Sequence, residues 1–420
     1  MSEQSTLSVS DATGDEPTWS LFVAGDCCLD EQATDRRLLT PALESRVRAA
    51  DCAVVNLEAP IPTDGEPIPK SGPALTTASE TPALLGESGF DVATLANNHS
   101  FDYGPEGVFE TIAACEEAGL ATVGAGEDAS DALAPVRTTV AGSVDLAVFS
   151  VCEREFGVAG AETPGTAWSD HPAIDDAIRD AAETADVVVV LAHGGVEYVP
   201  FSPPTRRSRL RDFVDAGADL VVGHHPHVAQ GWERYEDGLV FHSLGNFLFD
   251  RQAAGETTGW GLALDVEFAG DAIATVELVP TEVEDGIVAD LGANRSSAAH
   301  LDYLHRLAAC TADDDRFSAY WQSVAHRLFY ERYWNWLRPG FDEDRLREID
   351  GGRDGSRDDG AATNDREELL ALLNVVRNES HRAVVTTALS LMTDERPDHR
   401  TKETTTTVEE LLTWTMQDEP

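Results

Sequence analysis

The stretch "DLVVGHHPHVAQ" (219–230) decides the reading: an apolar, β-branched run ends in a glycine and then releases three histidines around a proline. A run such as Leu220-Val221-Val222 suits a strand buried on both faces, as in a parallel sheet. Polar residues that follow such a strand stand at the sheet edge where α/β folds bind their ligands. The same placement recurs along the chain. "LFVA" leads into Gly25-Asp26, "CAVV" into Asn56-Leu57-Glu58, "VATLA" into Asn97-Asn98-His99, and "VVVVLA" into His193-Gly194-Gly195.

Working outward, β-rich runs and helical spacings alternate from residue 20 to about 280. Strands are expected over 21–25, 52–58, 91–97, 120–126, 144–151, 186–193, 219–225 and 238–247. The predicted class is α/β, with one or two sheets covered by helices. After about 290 the apolar residues fall at three- and four-residue spacing, which reads as helices. The expected organisation is an acidic, disordered tail over 1–18, an α/β domain over 19–290 and a helical region over 291–420. A Gly- and Asp-rich linker is expected near 350–365. In the aromatic-rich "FYERYWNWL" (329–337), the spacing predicts core between helices and domain.

The chain of 420 residues carries 76 acidic against 30 basic side chains, a formal net charge of −46. Only Lys70 and Lys402 are lysines. Self-repulsion on this scale is tolerable where salt shortens the Debye length to about 3 Å near 1 M, so a halophilic, haloarchaeal cytoplasm is the expected setting. The charge argues against sequence-independent binding of nucleic acid or anionic lipid. No secretory signal is read at the amino terminus, and no run of about 20 apolar residues spans a membrane. The six cysteines form no CxxC pair and read as reduced thiols of a cytoplasmic protein. Neither a protein partner nor an oligomeric state is written in the sequence.

Asp, Glu, Asn and His are the oxygen and imidazole donors that Mn²⁺, Fe and Zn²⁺ accept. Delivered singly from distant strand ends, they fit a dinuclear hydrolytic centre. Six of the twelve histidines, His99, His193, His224, His225, His227 and His242, fall in or beside these clusters. His225 and His227, at alternate positions, are expected to face the same way on a strand. Arg206, Arg207, Arg209 and Arg211 read as a solvated helix face, with a polyanion-neutralising patch as the rival reading.

The ordered motifs "AGDCCLD", "NLEAP", "LANNHSFDYG", "LAHGGVEY", "GHHPHVAQ" and "FHSLGNFLFD" resemble those of the CapA family, the capsule and poly-γ-glutamate biosynthesis proteins within the calcineurin-like metallophosphatase superfamily. The resemblance covers roughly residues 20–250. It implies a four-layer metallophosphoesterase-like sandwich flanked by helices, with the helical C-terminal extension outside it. It implies one or two divalent ions held by Asp26, Glu58, Asn98, His193, His225 and His227, with Glu58 bridging. His99, beside Asn98, would be the catalytic acid or transition-state stabiliser. Asn56, Glu197, His224, Gln230 and Asn246 would support ligands or position substrate. Where related phosphoesterases open with Asp-x-His, this chain has Asp26-Cys27-Cys28, so the first ion is expected to lack an imidazole. The implied function is hydrolysis of a phosphoester or a γ-glutamyl amide, on a small-molecule or polyglutamate-like substrate; the alternative is non-catalytic binding of the polymer in a synthesis or export complex.

Overall fold

The computed structural model describes residues 5–10, 18–29, 37–249, 259–292, 295–338 and 360–415, with Gly340 and Leu346 besides. Two sheets face each other. The larger one takes, edge to edge, the strands Thr6–Ser8, Ala272–Glu284, Trp260–Ala269, Thr18–Cys28, Cys52–Leu57, Val92–Thr94 and Ala121–Val123. Asn246–Phe249 adds alongside Thr18–Cys28, and Ile287–Asp290 alongside Ala272–Glu284. The smaller sheet runs Trp232–Tyr235, Gly238–Phe241, Leu220–His224, Val187–His193, Val144–Cys152 and Val136–Val140. The central strands of both sheets are parallel.

Period-two alternation explains the layering. Leu21, Val23, Val54 and Val92 of the larger sheet meet Val187, Val189, Leu191 and Val222 of the smaller one in a shared core. The intervening residues point outward. Phe22, Ala24, Ala53 and Val55 pack on Leu43, Val47 and Leu85 of helices Pro41–Ala49 and Thr81–Ser88. Val188, Val190 and Ala192 pack on Ile174, Ile178, Leu210 and Phe213 of helices Ile174–Ala182 and Pro204–Asp215. Helix, sheet, sheet and helix make four layers, as expected of a metallophosphoesterase-like sandwich. From Arg295 on, the described chain is helical, and Leu304, Leu307, Trp321, Phe329 and Val384 extend the shared core.

Several expectations are corrected. The tail expected to be disordered contains strand Thr6–Ser8, paired with Glu277–Thr275, because Leu7 and Val9 alternate onto the core. The strand expected over 238–247 is two strands in different sheets, since the chain crosses between them at Gly245, whose φ of 70° suits glycine. The hairpin Trp260–Ala269 with Ala272–Glu284 was not anticipated. Up to residue 359 the expected 350–365 linker lies outside the described residues, and from Gly360 a helix runs to Arg377. The arginine cluster is neither a solvated face nor a free patch: Arg206 and Arg207 are buried, and Arg207 and Arg211 both donate to Glu233. Arg209 donates to the Ser169 carbonyl and Asp175. In 329–337, Phe329 and Tyr333 are core while Tyr330 and Trp334 are exposed. Among the described residues no helix is long and apolar enough to cross a membrane.

Candidate metal centre

Parallel pairing brings the strand ends together. Asp26 lies in register with Asn56 on one neighbour and Asn246 on the other, and His193 with His224 in the opposing sheet. Close backbone contact permits this convergence: a Cβ on Gly25 would sit 2.1 Å from the Gly245 carbonyl oxygen, and one on Gly223 2.0 Å from that of His242.

Two groups of donor atoms result, Asp26, Glu58 and His227, and Glu58, His193 and His225, with atoms within 4.8 Å of one another in each. Glu58 belongs to both. His227 Nε2 and His193 Nε2 stand 3.7 and 3.8 Å from its Oε1. Asn98 Oδ1 lies 2.9 Å from His193 Nε2, so the amide oxygen joins the second group. The shared facing of His225 and His227 does not come from a strand. The strand ends at His224, because Pro226 has no N–H for the ladder, and both histidines take positive φ, 94° and 57°. Such non-glycine backbone is costly and gathers at functional sites.

The remaining predicted residues hold these donors. His227 Nδ1 donates to Asn246 Oδ1 at 2.8 Å, which leaves its Nε2 lone pair toward Glu58. Asn56 Nδ2 donates to Asp26 Oδ1 at 2.8 Å. The His225 amide donates to Asp26 Oδ2, and His224 Nδ1 stands 3.1 Å from Asp26 Oδ1. His224 therefore sets an imidazole against Asp26, where Cys27 and Cys28 supply none. Gln230 is placed elsewhere: it donates to the Val199 carbonyl and accepts from Ser202, bracing the loop that carries Glu197. Glu197 is partly exposed, 3.7 Å from Arg332, and lines the cavity over the cluster. His242 faces Glu233, apart from the donor groups.

His99 brings two residues that the motif reading missed. Its Nδ1 lies 2.7 Å from Asp102 Oδ2, and Lys70 Nζ bonds Asp102 Oδ1 and stands 3.2 Å from the same Nδ1. Both signals were available: Asp102 follows His99 by three residues, and Lys70 is one of only two lysines.

Electrostatics test whether a cation fits. Glu58 is wholly buried, and neither carboxylate oxygen has a hydrogen-bond partner. Burial, with Asp26 and Glu197 nearby, pushes its carboxyl well above the ordinary value. Burial and neighbouring imidazoles hold His193 and His225 well below theirs, so both are neutral and able to ligate. Burial raises the Asp26 carboxyl, but bonding and charge from His224, with His227 and Asn56, outweigh it and keep Asp26 ionised. A bare buried carboxylate costs several kcal/mol unless compensated. Neutral imidazoles and carboxylates around it are the donor set of a divalent ion, and the residues fit one.

A profile described as bacterial capsule synthesis protein PGA_cap matches residues 20–251. The capsule biosynthesis protein CapA of Bacillus anthracis is 36% identical over 225 residues, covering 50% of this chain and 52% of that one. The PGA biosynthesis protein CapA of Bacillus subtilis is 37% identical over 179 residues, covering 42% and 47%. This chain thus spans about half the length of these curated relatives. Among solved structures, the 5'-nucleotidase of Candida albicans is similar at a TM-score of 0.38 and 9% identity, over 68% of this chain and 57% of that one. The strand-end donors described above all fall inside the PGA_cap match, and with more than half of its residues inside that match the chain belongs to that capsule synthesis family.

Proposed function

We propose that this protein is a metal-dependent hydrolase related to poly-γ-glutamate capsule biosynthesis, cleaving a phosphoester or a γ-glutamyl amide. The observation that carries the reading is Glu58, buried and without hydrogen-bond partners between two sets of ligating side chains. Asp26, Glu58 and His227 would hold one divalent ion, Mn, Fe or Zn, and Glu58, Asn98, His193 and His225 a second. Such ions lower the pKa of water and polarise the scissile group. Asn246 and Asn56 fix the orientations of His227 and Asp26.

His99 handles the proton. Burial and the Lys70 charge hold it below its ordinary value against the pull of Asp102, so it is neutral near pH 7. With Nδ1–H on Asp102, Nε2 accepts a proton from the attacking water and returns it to the leaving group. Lys70, paired with Asp102, keeps this pair from drifting. A cytoplasmic location is part of the proposal, supported by Cys52, Cys115, Cys152 and Cys310, which form no disulfide.

The test is metal content of the purified protein, with hydrolysis of an aryl phosphodiester and of γ-glutamyl peptides, for wild type and His225→Ala. Metal that falls with His225→Ala, together with turnover of either substrate, supports the reading. Absence of both metal and turnover after reconstitution leaves the polymer-binding alternative.

A further inference from the structure

The family match ends at residue 251, yet one wall of the cavity over the metal cluster comes from residues beyond 330. This cavity, of about 380 Å³, has Asn98, His99 and His225 on one side and Trp336, Asn374 and His381 on the other. The volume is in the lower part of the range of roughly 300–1,000 Å³ for small-molecule sites.

A specific joint holds that wall. Glu153 accepts from Ser380 Oγ at 2.7 Å and from the Ser380 amide at 3.3 Å. Glu379 in turn accepts from the Arg154 amide at 2.9 Å and Trp168 Nε1 at 3.0 Å. The Glu153 amide donates to the His193 carbonyl, so joint and metal cluster share a stretch of backbone. One residue past Ser380, His381 Nδ1 is 2.7 Å from the Tyr333 hydroxyl.

Two residues that line this cavity carry buried acceptors. Asn374 is 7% exposed, and its Oδ1 has no hydrogen-bond partner, which in a folded protein calls for an explanation. Glu155, 9% exposed, lines the same cavity, its Oε1 3.8 Å from His381 Nε2. Of the nearby cations, Lys70 pairs with Asp102 and Arg332 with Glu197, while Arg377 stacks on Phe156, its Nε and Nη2 without hydrogen-bond partners and its charge felt by Glu155.

We propose that the C-terminal helices make this an end-selective site: Asn374 and Glu155 receive the free ammonium group of a terminal γ-glutamyl residue, whose linkage then lies toward the metal cluster. The proposal rests on the γ-glutamyl form of the function proposed above. In a γ-linked chain every internal nitrogen is an uncharged amide, and only the first residue carries an ammonium. A wall of buried acceptors therefore separates chain ends from chain interiors. Burial pushes the Glu155 carboxyl up to about 7 against the pull of Lys70 and Arg377, and a cationic ligand beside it would favour its charged form further.

The test is calorimetric titration of the full-length protein with γ-glutamyl-glutamate and with its N-acetyl derivative, alongside metal content and thermal melting. Wild type is expected to bind the free amine at least about tenfold more tightly. Asn374→Ala and Glu155→Gln are each expected to bring the ratio below about threefold with metal content unchanged, and Asn374→Asp, which keeps an acceptor, to retain it. Equal binding of both dipeptides, binding of neither, or a preference that survives both Asn374→Ala and Glu155→Gln would overturn the proposal. An amine preference without metal or turnover would instead count against the hydrolase reading and leave end selection standing.

Discussion

Replacing Glu58 by glutamine separates the needs of the metal cluster from those of the fold. Glu58 is 0% exposed, neither oxygen has a hydrogen-bond partner, and Asp26 and Glu197 repel its charge. Without a cation, holding this carboxylate charged is a burden of several kcal/mol, relieved only by taking up a proton. Glutamine keeps the shape and removes the charge; its amide, left without partners, still costs about 1–3 kcal/mol. In EDTA the variant should therefore be at least as stable as wild type. Added Mn²⁺ reverses the order. At a hundredfold excess over Kd, wild type gains about 2.7 kcal/mol, while Glu58→Gln, without the shared carboxylate, gains little. Chemical denaturation with and without Mn²⁺, together with elemental analysis, reads both effects. A variant less stable than wild type in EDTA by more than about 2 kcal/mol, yet stabilised equally by Mn²⁺, would refute the reasoning and make Glu58 a structural residue.

Two further outcomes follow from the polar networks. Asp102→Asn should leave metal content unchanged but lower kcat by roughly 10²–10⁴, the usual worth of a positioned acid or base, because His99 loses the charged carboxylate that holds its Nδ1–H and the amide that replaces it must set an NH₂ against either His99 or Lys70; unchanged kcat and pH profile would remove His99 from proton transfer. Glu233 is buried, and although burial raises its carboxyl, bonds from His242, Arg207 and Arg211 hold it well below the ordinary 4.5. Its stabilisation is therefore complete above about pH 4.5 and is lost as pH falls through the lowered value. Glu233→Gln should cost about 3–5 kcal/mol at pH 7 by urea denaturation, with the difference shrinking on acidification; a difference independent of pH would show packing, not charge, at that site.

Much of the site could be read locally. Near-continuous apolar runs ending in Asp26, Glu58, Asn98, His193 and the 224–227 histidines require strands whose ends carry donors, because a strand buried on both faces cannot accommodate those groups along its length. Family motifs then supplied roles for them. The tail strand Thr6–Ser8 was less legible, since three residues gain their order from an edge contributed by Ala272–Glu284. The crossing at Gly245 was hidden because one apolar run serves two sheets.

From the sequence alone came the α/β class and the candidate donors at the strand ends, since each depends on residue type and short-range period, while the family resemblance supplied the metal roles proposed for them. Tertiary structure alone decided which donors share Glu58, how His225 and His227 come to face it through left-handed backbone, and that Lys70 stands beside His99. It also decided that Asn374 and His381, more than 100 residues beyond the family match, wall the cavity. These are long-range contacts, set by the packing of two sheets and the docking of Ser380 on Glu153, and no local period encodes them.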